Sequence, residues 1–382
     1  MKPFPHAPAG VAPVVAVPVK DEAERIGACL RALCVQRDAP SHRVLVFVND
    51  TTDGTPALLR GLLPSLLMPV HVVEHRFAPG AGGAGLARRA AMQRAADLAG
   101  PGGVLLTTDA DGRAAPDWLA ANLHHLRHGA DAVAGCAELD SADAALIPAR
   151  LHEDDAREVA YATLLDEIAH LLDPDPADPW PRHTEHNGAS IAVTVAAYRR
   201  AGGIPAVPVG EDRAFFDALR RADARIRHAP EVRVAVSGRT VGRAAGGMAD
   251  TIRRRLVAPD PFLDDRLEGA LASARRMGLR RRLRAAHAAG LSDALAGALG
   301  RDLGVDPADL RRVCETSGFG AAWAELEARS PALVRVPVSV AALADETALA
   351  ARLRDALRGG TGSRAATRDR GTPAAAGSMP AE

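Results

Sequence analysis

The sequence predicts an α/β fold, with a doubly wound and mostly parallel sheet and then a helical subdomain. Three observations point there. Over the first 240 residues, short β-rich runs alternate with helical stretches. From about Gly242 the β signal stops and Arg- and Ala-rich helical patterns run to about Arg358. Finally, three strand candidates, the first, second and fourth in the chain, each end in a polar, acidic turn, and such turns converge on one crevice in a doubly wound sheet.

In chain order, the strand candidates are 14–19, 44–49, 70–74, 104–108, 132–136, 190–195 and 232–237. Helical patterns lie between them at 21–34, 55–66, 86–98, 116–126 and 212–222. Pro116-Asp117 is a good opening turn, because proline suits the first helical position and an acid favours the N-terminal dipole. In the helical part, breaks fall at Pro259, Gly290, Gly304 and Pro331. The last residues hold too little large apolar material to pack and read as a disordered tail. The expected divisions are a flexible start (1–10), an α/β domain (11–241), a helical subdomain (242–358) and a tail (359–382).

Composition sets the limits. The chain has 382 residues, 47% of them hydrophobic, which is ample core material and excludes disorder as the main state. Its 47 basic and 47 acidic side chains cancel, against the basic excess of a phosphate-backbone binder, so no nucleic-acid partner is expected. Cys29, Cys34, Cys136 and Cys314 lack zinc-ribbon spacing and are too few for a disulfide framework, which fits a reducing cytoplasm. No stretch reaches the ~20 apolar residues of a membrane span, and the first residues lack an apolar run of signal-peptide length.

The sharpest motif is Leu105-Leu106-Thr107-Thr108-Asp109-Ala110-Asp111-Gly112, an apolar strand ending in two carboxylates one residue apart. At the carboxyl end of a parallel strand such acids face the ligand crevice, and their hard oxygens can hold Mg²⁺ or Mn²⁺ against a diphosphate. Acids after strands also often just cap the next helix. The first strand runs through Pro18 into Asp21, Glu22 and Glu24, which equally reads as a dipole-favoured helix start. The second ends in Asn49-Asp50-Thr51-Thr52-Asp53-Gly54-Thr55, which equally reads as an Asx turn and cap.

Taken together, these motifs resemble the inverting glycosyltransferases of family 2, which have the GT-A fold, over roughly residues 11–255. The resemblance rests on Val17-Pro18-Val19-Lys20-Asp21-Glu22, the turn 49–55, Ala87-Arg88-Arg89, Asp109-Ala110-Asp111 and Gly210-Glu211-Asp212 in that order. It implies that Glu22 and Asp53 contact the nucleoside, that Arg88 sits near the base or diphosphate, that Asp109 reaches the ribose and that Asp111 coordinates a divalent metal. Pro18 and Asn49 belong to the same donor-side turns. Asp212, with Glu211 as the second choice, is the expected general base. A carboxylate at a helix N-terminus is further expected to have a low pKa. The chain departs from the family in a second-strand turn one residue shorter, in Asn49 at an acid position and in Arg89 for the family's Asn. The Gln-x-x-Arg-Trp motif of processive synthases is absent, which favours transfer of a single sugar.

Other features have weaker functional readings. The run 185–190, with Asn187, is a candidate acceptor or donor-sugar wall, and Arg239 and Arg243 are candidates to clamp the diphosphate. Gly80-Ala81-Gly82-Gly83-Ala84-Gly85 matches a dinucleotide fingerprint, but Arg76-Phe77-Ala78-Pro79 separates it from its strand, so a loop over the nucleotide is the better reading. His183, Glu185 and His186 have irregular metal-ligand spacing, and His124, His125 and His128 read as solvated surface. The leading expectation is metal-dependent transfer of one sugar, a hexose or a relative, from a nucleoside diphosphate-sugar to an unknown acceptor hydroxyl with inversion. A nucleotidyltransferase is the alternative enzyme, though no glycine follows the first strand. A non-catalytic nucleotide-sugar-binding protein is the alternative from another class.

Overall fold

The computed structural model describes residues 12–207, 209–242 and 246–368. An eight-stranded sheet lies at its centre. The strands are β1 (Val14–Val19), β2 (Arg43–Asn49), β3 (Val70–His75), β4 (Val104–Thr107), β5 (Arg113–Ala114), β6 (Ala132–Leu139), β7 (Ile191–Thr194) and β8 (Ile226–Val236). Their spatial order is β3-β2-β1-β4-β7-β6-β8-β5. Strands β3, β2, β1 and β4 are parallel, as are β6 and β8, whereas β7 runs antiparallel to both its neighbours and β5 pairs antiparallel with β8. After β3 the chain crosses back and lays β4 on the other side of β1. A crevice therefore opens at the carboxyl ends of β1 and β4, where a topological switch leaves room for a ligand.

Helices cover both faces. On one side α1 (Ile26–Cys34), α2 (Thr55–Leu62) and α4 (Trp118–Arg127) pack Ile26, Leu30, Leu59 and Trp118 against Val15, Val46 and Leu106. On the other side α3 (Ala84–Ala99), α7 (Val195–Arg200) and α8 (Glu211–Arg221) pack Ala91, Met92, Tyr198, Phe215 and Phe216 against Ala16, Leu105 and Val193. Strand side chains alternate between these two apolar layers, which is why β1 is buried along nearly its whole length.

Besides the short β5 and α7, two helices were not expected from the sequence. These are α5 (Ser141–Ala144), capped by the Asp140 carboxylate, and α6 (Ala149–Leu172). The α6 sequence has no clean apolar stripe because it meets neighbours along its length. Tyr161, Leu165 and Ile168 join a core with Leu263, Ala270, Val338, Leu343 and Ala350 of the C-terminal part. Helix α1 begins at Ile26, five residues later than expected, because Asp21 adopts a left-handed φ of 52° and 21–25 form a turn. Strand β8 starts at Ile226 rather than 232, taking in the buried polar residues Arg227 and His228, which Asp178 pairs with from outside the sheet.

The C-terminal part is helical, as expected: α9 (Met248–Val257), α10 (Ala270–Ala289), α11 (Asp293–Leu303), α12 (Pro307–Thr316), α13 (Phe319–Arg329) and α14 (Leu343–Arg368). Gly290 and Gly304, at φ of 90° and 67°, end α10 and α11 where the sequence placed breaks. Helix α14 continues to Arg368, beyond the boundary at 358, and residues 369–382 lie outside the described residues, as do 1–11. Among the described residues no helix is long and apolar enough to cross a membrane.

This helical part grips α8. Asp223, after α8, accepts the Gly320 amide at 2.6 Å, and a Cβ at Gly320 would overlap the Arg220 carbonyl oxygen. Gly320→Ala is therefore expected to cost about 1–3 kcal/mol by overpacking. It should appear as a lower melting temperature, and an unchanged value would show that α8 and α13 can separate without penalty.

Candidate functional site

The strand-end motifs meet at the crevice beside β1 and β4. Asp109 and Asp111 follow β4 directly, Glu22 follows β1, and Glu211 and Asp212 open α8 after Gly210, whose φ of 74° turns the chain into the helix. Two arginines organise these acids. Arg88, on α3 and almost fully buried, donates Nε to Glu211 Oε1 (3.0 Å), Nη2 to Asp109 Oδ1 (2.6 Å), and Nη1 to both the Gly188 carbonyl (2.7 Å) and Thr107 Oγ1 (3.2 Å). The two carboxylates hold its proton more tightly than an ordinary guanidinium's, against the opposing effect of burial. Gly188 suits the close approach, because a Cβ there would overlap the Arg88 guanidinium.

Arg239 comes from the segment after β8. It grips Glu22 with two bonds, Nη1 to Oε2 at 2.9 Å and Nη2 to Oε1 at 2.6 Å, and Nη2 also lies 3.1 Å from Asp111 Oδ2. Here it is an acid clamp rather than a bare diphosphate anchor. Arg243, the other expected clamp, lies outside the described residues. Asp143, which the sequence did not single out, steadies the same end: it accepts Ser237 Oγ (3.1 Å) and the Gly238 amide (2.9 Å) and pairs with Arg25 (3.0 Å). Its place in the short helix α5 gave no motif that could have marked it.

Several expected binding residues have structural tasks. Asp53 Oδ1 accepts the amide and hydroxyl of Thr55 at 2.9 and 2.5 Å, and Oδ2 accepts the Ala23 amide at 3.1 Å, which fits the Asx-turn reading. The Thr52 and Asp53 amides bond Asp21 Oδ1, so the β1 and β2 turns are laced together. Asn49 is buried and donates to Asp50, whose other oxygen accepts the Phe77 amide at the start of the Gly-rich loop. That loop, 76–83, separates β3 from α3, so the fingerprint match is not at a strand's end. Asn187 spends both ends of its amide on backbone, donating to Gly135 O (3.0 Å) and accepting from Ser190 N (3.1 Å). Pro18 lies in β1, half-buried opposite Phe47.

The two acids that open α8 differ. Glu211 is buried against Arg88, whereas Asp212 Oδ1 accepts the Arg213 amide (2.7 Å). The low pKa expected for Asp212 from its helix terminus does not hold. Burial, reinforced by the charges of Glu211 and Asp109, raises it above the ordinary carboxylate value despite the Arg213 amide and Arg88. Asp111 is likewise pushed up to about 6, by burial first and then by Asp109, with Arg239 opposing.

Residues 14–172 match the model of the glycosyl transferase family 2 family. No curated protein matches the chain. Among solved structures, it is similar to the mannosyltransferase PcManGT from Pyrobaculum calidifontis in complex with GDP-Man and Mn²⁺, at 21% identity, TM-score 0.43, covering 86% of this chain and 90% of that one. It is also similar to S. aureus TarS 1-349 in complex with UDP, at 16% identity, TM-score 0.42, covering 91% and 92%. A third similar structure is glucosyl-3-phosphoglycerate synthase from Mycobacterium tuberculosis with Mn²⁺, UDP-Glc and phosphoglyceric acid, at 17% identity, TM-score 0.38, covering 66% and 81%.

The chain offers a divalent ion a partial cage at its strand-end acids. The raised proton affinity of Asp111 comes from burial first and then from the negative charge of Asp109 and Glu22, which Arg239 opposes. A hard cation would balance that charge. Mg²⁺ and Mn²⁺ commonly take only one or two carboxylates and complete their shell with water and substrate phosphates, so the donor set fits.

Proposed function

We propose that this chain is a glycosyltransferase that transfers a single sugar from a nucleoside diphosphate-sugar to an acceptor hydroxyl with inversion, with the help of Mg²⁺ or Mn²⁺. The observation that carries the reading is the division of labour among the acids. Arg88 ties up Asp109 and Glu211, while Asp111 and Asp212 are left with raised proton affinity at the crevice. Asp111, with Asp109 beside it, would hold the ion, which when bound stabilises charge on the departing diphosphate. Arg239, on the edge of the same cluster, adds a fixed positive group there. Asp212 takes the acceptor hydroxyl's proton as the new bond forms. Direct attack by that activated hydroxyl is one displacement at the sugar carbon, so its configuration inverts.

The test is a thermal-shift screen of nucleoside diphosphates with and without Mn²⁺, since a ligand that binds only the folded chain raises its melting temperature by mass action. A shift that needs Mn²⁺ in the unaltered chain is expected to collapse in Asp111→Asn, with the ligand-free melting temperature kept. An undiminished Mn²⁺-dependent shift in that variant would sink the metal assignment.

A further inference from the structure

Away from the strand-end acids, Cys136, His183 and Glu185 each bring a ligand-type atom within 4.8 Å of the other two, the one such trio found among the described residues. Cys136 sits where the pairing of β6 with β8 shifts register, between Gly135 and Cys136, and irregularities of this kind re-aim a strand's side chains. His183 and Glu185 come from the segment between α6 and β7. The irregular sequence spacing that argued against a metal site is thus overcome by the fold, which supplies the thiol from a separate strand.

His183 strengthens the case. Both ring nitrogens are enclosed and neither makes a hydrogen bond of acceptable geometry, although backbone groups of Ala134 and Ala229 are close. A neutral imidazole has one donor and one acceptor to satisfy, and buried polar atoms in a native fold are normally paired. An ion bound to one nitrogen would account for one of the two.

We propose that Cys136, His183 and Glu185 form a transition-metal site of the zinc class. One thiolate, one imidazole and one carboxylate make a borderline-soft set that suits Zn²⁺ better than Mg²⁺ or Mn²⁺, and three protein ligands leave a fourth tetrahedral position open. On binding, the Cys136 thiol gives up its proton to solvent and its sulfur lone pair to the metal. The site would tie the segment before β7 to β6. Asn187 and Gly188 follow directly, the first bonded to Gly135 and the second to Arg88. The ion would thus brace the wall against which the buried arginine rests.

The experiment is a Co²⁺ titration of the full-length, chelator-stripped chain, read by the thiolate-to-cobalt absorption that Mg²⁺-type oxygen sites do not give. A saturable band displaced by Zn²⁺ is expected. It should vanish in Cys136→Ser, persist in Cys29→Ser and Asp111→Asn, and need at least about tenfold more Co²⁺ in His183→Ala. Glu185 is exposed, so Glu185→Gln should fold normally and also weaken binding. No band in the unaltered chain, a band that survives Cys136→Ser, or undiminished affinity in Glu185→Gln would overturn the three-ligand assignment.

Discussion

Replacing Asp212 by asparagine is expected to lower turnover by ~10²–10⁴-fold, the usual cost of a lost general base, with donor affinity nearly unchanged. The expectation follows from where the two acids at the start of α8 spend their oxygens. Glu211 is committed to Arg88 at 3.0 Å, while Asp212 accepts from the Arg213 amide in the next residue. Burial makes Asp212 a stronger base than an exposed aspartate, because it raises the proton affinity without removing the carboxylate from the crevice. The sign of the pH effect follows. The base works only when deprotonated, so a raised pKa moves the acid limb of the turnover profile above the ordinary Asp value of ~3.9. Asp212→Asn should abolish that limb. Glu211→Gln should act differently, lowering stability through the loss of an Arg88 partner. Turnover and donor binding, measured for both variants across pH, separate these roles. Full turnover in Asp212→Asn would show that the acid is a helix cap and that the base lies elsewhere.

The legible parts of this chain were those governed by local chemistry. Strand β4 is an apolar run that stops at two acids, and the crevice residues at the ends of β1, β2 and β4 follow from that pattern wherever the rest of the chain goes. Helix α6 was illegible because its periodicity answers to α10 and α14, more than a hundred residues later in the chain, so no apolar stripe is visible over 149–172 alone. The turn at 49–55 shows a different limit. The same acids suit a nucleoside contact or a loop lock, and the Ala23 and Thr55 amides that Asp53 accepts show that it serves at least the second. Arg239 was noticed as a cation after the last strand. Its pairing with Glu22, 217 residues away in sequence, is a property of the sheet order rather than of any motif.

Arg88→Met is expected to destabilise the chain by ~3–5 kcal/mol, because it removes one partner of a buried ion pair and leaves the other uncompensated. The guanidinium is 5% exposed and serves four acceptors from three parts of the chain. Without it, the Glu211 carboxyl loses its cationic partner in a buried site, and the Gly188 carbonyl and Thr107 hydroxyl lose their donor. The contribution of Asp109 is smaller, since its side chain is 35% exposed and solvent screens it. Arg88→Lys should recover only part of the loss, because an ammonium is a point charge and cannot reproduce the guanidinium's planar fork. Urea denaturation in the absence of any nucleotide is the measurement. A lower midpoint with an unchanged slope is a change in stability alone, and it assigns the effect to the fold rather than to donor binding. A loss below ~1 kcal/mol, the scale of an exposed pair, would mean that Glu211 finds water or another partner when Arg88 is gone. The opening of α8, and with it the position of Asp212, would then not depend on this arginine.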